Sequence, residues 1–526
     1  MLGASKYRLL DTLGRAARSP SGQQRAAIWA DGREQSFVDL YARVLRLANG
    51  LLGLGCVSGT RVGVLMGNRH EWPEALFGIA AFGGICVPVS VLLRGIEVGY
   101  LCDDSGIEVL IVDERGAPAL AEMTRLPETV ITVGRVEVPE RVSRVVAYED
   151  VLATGRPESP NVWIDAESPV MTYYTSGTTG RSKGATHSHQ GITWNTVHQV
   201  FDLGVKRDDR YLVVPSLSWA AGFHDVMLAL MWQGGTNILM PTGNITIEAV
   251  VDQVVAQRAT HTLLVPVLLR QLAAEPQLLR RLRDSDLRWV LTGAEPVPAA
   301  LTNELNAELP ACSVVQGYGM SEFPLIAALL QPHEAVEHAG KAGRPTSITS
   351  IAVRTQDGSI EQVGEGEILT RSPAAMLGYH NMPEATAEAF LDGWFHTGDS
   401  GRLDQEGFLT VTGRKKDMII SAGINIYPRE IEDLIIAELG IRDVAVVGVP
   451  DEKWGEVPVV VLLGADDGRA EKIADVCAAR LSRYKQPRDI IHRSEPFPRT
   501  PNGKLLKREL APWAADQLAR RDQETS

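Results

Sequence analysis

The sequence predicts an α/β protein in two parts: a large amino-terminal domain of helix-covered, mostly parallel sheets, and a small α+β unit at the carboxyl end. Three observations predict it. Short apolar runs alternate with amphipathic stretches for most of the length, the pattern of repeated strand–helix units. After about residue 400 the texture changes to a basic cluster, one helix and a strand pair. At 526 residues the chain is too long for a single core.

The elements follow in order. VDLYARVLRLANGLL (38–52) is amphipathic and reads as a helix, ended by GLLGLG at 50–55. RVGVLMGN (61–68) and VLIVDE (109–114) are apolar runs of buried-strand length. SPVMTYYTS reads as a strand entering a glycine-rich turn. YLVVPS (211–216), TNILMP (236–241), HTLLVP (261–266) and LRWVLTG (287–293) are further buried strands. TIEAVVDQVVAQRA (246–259) and PVLLRQLAAEPQLLRRL (266–282) are helical stretches among them. Beyond GRKKD a helix opens near Pro428, because proline suits a first helical turn. VAVVGVPDEKWGEVPVVVLLG then reads as a hairpin-like strand pair and EKIADVCAARLSRY as a helix. The domain boundary falls at 414–416, between an amino-terminal part at 1–413 and a carboxyl-terminal part at 417–526.

Composition narrows the function classes. Hydrophobic residues are 44% and charged residues 22%, which is ordinary for a soluble enzyme. A net charge of -13 argues against nucleic acid or an anionic membrane as the main partner. Cys56, Cys86, Cys102, Cys312 and Cys477 are scattered, without a C-x-x-C pair. A reduced, cytoplasmic protein is expected, with no cysteine-built zinc site. The opening MLGASKYRLLDTLGRAARS has no continuous apolar segment and reads without a secretory leader. No apolar run reaches membrane-spanning length, so no integral membrane segment is expected.

Residues 175–184, TSGTTGRSKG, hold three glycines, five hydroxyls, an arginine and a lysine. Glycines let backbone approach an anion, while amides and hydroxyls donate to phosphate oxygens. The Walker pattern fails twice. Counted from Gly177, its second glycine position holds Ser182, and Gly184 follows Lys183 where serine or threonine belongs. The stretch has company: GAEPVP (293–298), QGYGMSE (316–322), GRP (343–345), GEGEILTRSP (364–373), GWFHTGD (393–399), GRKKDMIISAGINIYPREIE (413–432), YKQP (484–487) and PRTPNGK (498–504). In residue content, order and spacing these segments resemble the core motifs of the adenylate-forming superfamily. That superfamily holds acyl-CoA synthetases, stand-alone adenylation domains and beetle luciferases. The resemblance runs from about Glu34 to Leu510.

The resemblance implies ATP, Mg2+ and coenzyme A as the small molecules used with a carboxylic acid. Thr175, Ser176, Gly177, Thr178, Thr179, Gly180 and Lys183 would hold the β- and γ-phosphates. Glu322 would be the magnesium ligand, and Ser321 would keep a hydroxyl at the α-phosphate. Adenine would lie beside Gly293, Ala294 and Glu295, against Tyr318; Gly317, Gly319 and Met320 complete that motif. Asp399 would accept from the ribose hydroxyls, with Arg414 reaching the same sugar. Lys504 would bridge the carboxylate and α-phosphate during adenylation. Lys416 takes the position of the hinge about which a mobile carboxyl-terminal lid turns between half-reactions. Ser421, Ala422 and Gly423 would then line the pantetheine tunnel.

Departures concentrate at the acyl pocket. Relatives often place an aromatic–histidine pair where this chain has PSLSWAAGFHD. Trp219 serves there as pocket floor or as ordinary core; Ala220, Ala221 and Gly222, with Gly317, leave room for a bulky apolar acid. Asp225 is the one nearby candidate for the amino-acid anchor of peptide-synthetase domains. His187 and His189 in THSH suggest a metal pair, but a histidine after the phosphate loop is common in the family. Three activities are compatible: a CoA ligase, an enzyme that loads a carrier protein or performs one half-reaction, and a non-catalytic nucleotide- or adenylate-binding regulator. Intact Glu322, Asp399 and Lys504 favour catalysis. A homodimer is left open.

Overall fold

A computed structural model describes residues 7–19, 22, 26–175, 182–243, 245–293, 297–323, 326–414, 417–421, 424–451, 454–465, 468–500 and 505–525. Two large sheets dominate the amino-terminal part. In one, Ala26–Ala30, Thr236–Leu239, Arg210–Val213, His261–Leu263, Trp289–Thr292 and Ser313–Tyr318 lie side by side and parallel. In the other, Pro169–Thr175, Ile85–Pro88, Arg61–Leu65, Val109–Asp113, Thr129–Val133 and Arg144–Ala147 do the same. Every apolar run read as a buried strand is one of these.

Both faces of each sheet are buried, and the alternation of side chains shows how. Tyr211, Val213, Leu239, Trp289 and Leu291 point into the central core, while Leu212, Ile238 and Val290 point to an outer one. The second sheet does likewise: Val62, Val64 and Ile111 face the centre, Leu65, Leu110 and Val112 the other side. The centre is filled by helices including Phe37–Gly53, Glu71–Ala81 and His189–Asp202. Doubly covered strands need no polar face, which is why they read as unbroken apolar runs. The stretch at 266–282 is two helices, Pro266–Ala273 and Pro276–Arg283, not one. Pro276 cannot supply the amide a continuous helix needs there, and it starts a new one instead.

From Ser350 the chain builds a third, antiparallel sheet that the strand–helix alternation does not announce. It includes Ser350–Arg354, Gly364–Arg371, Trp394–Leu403 and Leu409–Arg414. The carboxyl-terminal unit has its own sheet, with the hairpin Val444–Asp451 and Gly455–Leu463 at its centre and Asp489–Arg493 parallel to the second strand. The helix Pro428–Leu439 carries Pro428 at its first position. Val446, Val460 and Leu462 pack under this helix and Arg469–Arg480, while Val447, Val459 and Val461 pack under Lys507–Thr525. The five cysteines are free and buried. Among the described residues no helix is long and apolar enough to cross a membrane.

Candidate active site

The strand Pro169–Thr175 pairs antiparallel with Lys183–Ser188, Thr175 opposite Lys183. The glycine-rich stretch therefore links two antiparallel neighbours, whereas a Walker loop leads from a strand into a helix. The failed spacing match thus has a topological counterpart. Ser176, Gly177, Thr178, Thr179 and Gly180 lie outside the described residues, as do Ala294, Glu295, Lys416, Ala422, Gly423 and Lys504, and the Thr175 side chain is not described. Ser421 is described: it is buried at the end of Ile419–Ser421, opposite Gly455 of the central hairpin.

Two clusters converge around the segment Gly317–Glu322. The first joins Lys183 to Glu322 through Tyr379. The Lys183 Nζ lies 5.0 Å from the centre of the Tyr379 ring. The Tyr379 hydroxyl donates to Glu322 Oε1 at 3.4 Å. Tyr379 is held by the short strand Gly378–Tyr379, which pairs with Ala185 and Thr186. Burial and the Glu322 carboxylate push its phenol up, so it remains a donor. Sequence reading missed Tyr379, because nothing in LGYHNMP marks it. Beneath this cluster His187 Nε2 donates to the Ser321 carbonyl at 2.7 Å. Burial lowers its imidazole to about 4, so it is neutral at ordinary pH. His189 makes a different contact, accepting from the Leu9 amide at 3.3 Å. Among the described residues no group of three or more His, Cys, Asp or Glu could hold a metal.

The second cluster is the candidate nucleoside end. Tyr318 closes its strand and donates its hydroxyl to Asp399 Oδ2 at 3.0 Å. Arg414 Nε lies 3.4 Å from Asp399 Oδ1. The pairing follows from register, since Asp399 and Arg414 are direct partners on antiparallel strands. Gly398 is left-handed, with φ of 69°, and turns the chain just before Asp399. The Asp399 amide donates to Thr397 Oγ1 at 3.1 Å, which fixes the turn. Nearby, a side chain on Gly293 would place Cβ 2.9 Å from the Gly317 carbonyl oxygen. Those strand ends lie this close only with glycine at 293.

On the acyl side the residues expected to leave space are packed. Ala220 belongs to the central core, Ala221 packs against it, and a Cβ on Gly222 would come within 2.0 Å of the Ser216 carbonyl oxygen. Their small size serves close packing of this turn, and Trp219 is half-buried before the short helix Ala220–Phe223. A small cavity beside this turn is lined by His187, Ile192, Asn195, His224, Ser321 and Phe323, among others. Asp225 is buried, and desolvation raises its carboxyl well above the usual range, which does not suit an anchor for a substrate ammonium.

Comparison with known proteins bears on the whole chain. The family model described as AMP-binding enzyme matches residues 14–380, and that described as AMP-binding enzyme C-terminal domain matches 430–504. The chain is 36% identical over 501 residues to the long-chain-fatty-acid–CoA ligase FadD13 of Mycobacterium tuberculosis, covering 94% of this chain and 96% of that one. It is also 36% identical over 500 residues to the feruloyl-CoA synthase of an Amycolatopsis species, with 94% and 96% covered. Among solved structures, a Mycobacterium tuberculosis fatty acyl CoA synthetase superposes with a TM-score of 0.76 at 32% identity, covering 97% of this chain and 99% of that one. By these matches over nearly its whole length, the chain belongs to the AMP-binding enzyme family, as an acid–thiol ligase of the adenylate-forming superfamily.

Proposed function

We propose that this chain is an ATP-dependent acyl-CoA ligase that activates a bulky, mainly apolar carboxylic acid. A carboxylate oxygen attacks the α-phosphorus of ATP and pyrophosphate leaves. The CoA sulfur then attacks the acyl carbon, AMP leaves and the thiol proton passes to solvent. The observation that carries this reading is the convergence of Lys183–Tyr379–Glu322 and Tyr318–Asp399–Arg414 on one segment. Lys183 offers charge to phosphate, and Asp399 offers carboxylate oxygens to a ribose, with Arg414 limiting how it can turn. Little covalent work falls to the protein; orientation and charge neutralisation supply the rate. Magnesium fits Glu322, since one carboxylate with phosphates and water is a common Mg2+ environment and no protein-only cage exists among the described residues. When bound, the ion would neutralise charge on the departing pyrophosphate. Five buried, unpaired thiols suit a reducing cytoplasm.

The test is a panel of acids with ATP and magnesium, with pyrophosphate release and CoA thioester followed separately. Lys504→Ala is expected to slow adenylation by about 10²–10³ while sparing thioester formation from supplied acyl-adenylate. Equal loss in both steps would remove Lys504 from the adenylation chemistry. Silence of the whole panel would overturn the ligase reading.

A further inference from the structure

The cavity beside Ser321 is small, about 10 Å³, roughly the room one water needs. Its lining is unusual for an apolar pocket. Asn195 is 4% exposed and its Nδ2 has no partner. His224 is 3% exposed and its Nε2 has no partner either. Both residues line the cavity. The other end of the Asn195 amide is engaged, with Oδ1 3.3 Å from His198 Nε2, and His198 is tied through Nδ1 to Asp202 at 2.9 Å. Whichever way the amide is turned, one polar atom is spent on His198 and one is left.

The surroundings keep these groups where they are. Asn195 and Gln199 lie one turn apart on His189–Asp202. Gln199 Oε1 accepts from the Val226 amide at 2.7 Å, tying that helix to the segment that carries His224. Buried polar atoms in folded proteins nearly always have partners, so two unpartnered ones on residues that line a single small cavity call for a missing atom there. The cavity adjoins Ser321, beside the residue that we read as the magnesium ligand.

We propose that Asn195 and His224 form a polar socket in the wall of the acyl pocket, and that the preferred acid carries a hydroxyl that fills it. This rests on the ligase reading above. A hydroxyl donates once and accepts twice, so with the Asn195 amide nitrogen turned to the cavity it serves either tautomer of a neutral His224, and with the amide oxygen turned there it serves the tautomer protonated at Nε2. The acid is then an apolar skeleton with one oxygen away from its carboxylate, not a plain hydrocarbon acid. Asn195 and His224 act in specificity; the reacting atoms do not need them.

The experiment compares matched acids that differ by one hydroxyl: hydroxyphenylpropanoates against phenylpropanoate, and hydroxycyclohexanecarboxylates against cyclohexanecarboxylate, with the hydroxyl moved round the ring. Pyrophosphate release gives kcat/KM for each. A site built around a hydroxyl rejects the analogue that lacks it; for at least one position the hydroxylated acid is expected to be favoured by about ten- to a hundredfold. Asn195→Leu, close in volume, should bring that ratio to within about threefold, and His224→Phe should move it the same way. A ratio within each protein is insensitive to partial loss of folded enzyme. If acids are activated but hydroxylated ones are never favoured, the cavity holds only an ordered water and the proposal is overturned. A preference that survives Asn195→Leu and His224→Phe overturns it equally. Should neither variant fold, the parent's own preference decides. Silence towards every acid is a different failure, which removes the ligase reading itself.

Discussion

Tyr318 is buried beside Asp399, and burial together with that carboxylate pushes its phenol well above its ordinary range. It therefore holds Asp399 as a donor at any neutral pH. Tyr318→Phe keeps the ring against which adenine would stack and removes the hydroxyl. A donor to a carboxylate is worth about 1.5–3 kcal/mol, so KM for ATP should rise by roughly tenfold or more with a smaller change in kcat. Initial-rate kinetics at saturating acid check this; an unchanged KM would detach Asp399 from the nucleotide. At this scale legibility was uneven. Asp399, Arg414 and Glu322 stand in motifs that single them out as candidates, and the structure pairs Asp399 with Arg414 and Glu322 with Tyr379. Tyr379 and Asn195 could not be found that way, because their roles depend on which strand or helix face they meet. Tyr379 matters only because its two-residue strand pairs with Lys183–Ser188.

The strands were legible as elements because a doubly covered strand must be apolar throughout, and that leaves a visible run. Turns inside the core leave no such mark. Val226 has φ 67° and ψ -46°, and the Met227 amide donates across it to the Asp225 carbonyl at 2.7 Å. This is a three-residue γ-turn of the rare, strained kind, on a β-branched residue that is fully buried. Nothing in WAAGFHDVM announces it, since valine is among the least suited residues for positive φ. The reason it persists is packing: the turn caps Met227–Gln233 and is pinned by Gln199. Truncating Val226 loses buried surface in any case, at about 1.5–3 kcal/mol. The comparison that isolates the strain is alanine against glycine. In ordinary backbone glycine is the less stable of the two by about 0.5–1 kcal/mol. Here the order should reverse, with Val226→Gly more stable than Val226→Ala by about 1 kcal/mol. Urea denaturation of both variants reads the sign directly, and the normal order would mean the turn carries no strain.

At the scale of the whole molecule, the amino- and carboxyl-terminal parts have separate cores. Arg442 reaches Glu304 across them at 3.0 Å, with side chains 36% and 44% exposed. Such a surface pair is worth about 0–1 kcal/mol, and it opposes a rotation only weakly. The helix Pro428–Leu439 also approaches the strand Leu409–Arg414, which ends in the arginine paired with Asp399. The change of texture after about residue 400 is visible in the sequence; the antiparallel third sheet is not, because its strands, such as Gly364–Arg371 and Trp394–Leu403, are only partly buried and carry neither an unbroken apolar run nor a clean alternation. Lys416, which the family resemblance makes the hinge, lies outside the described residues. If the carboxyl-terminal unit turns between adenylation and thioester formation, the backbone near 416 has to change its dihedrals. Proline fixes φ near -65° and also restricts the residue before it. Lys416→Pro should therefore trap one arrangement. Pyrophosphate release in a single turnover should stay within about threefold of the parent, while thioester formation falls by about a hundredfold, since a gating step then limits turnover. The adenylate would accumulate bound to the enzyme and could be recovered after denaturation. Loss of both half-reactions with a lowered Tm would mean that proline disrupts the fold of the boundary. Unchanged turnover would place the pivot elsewhere in the chain.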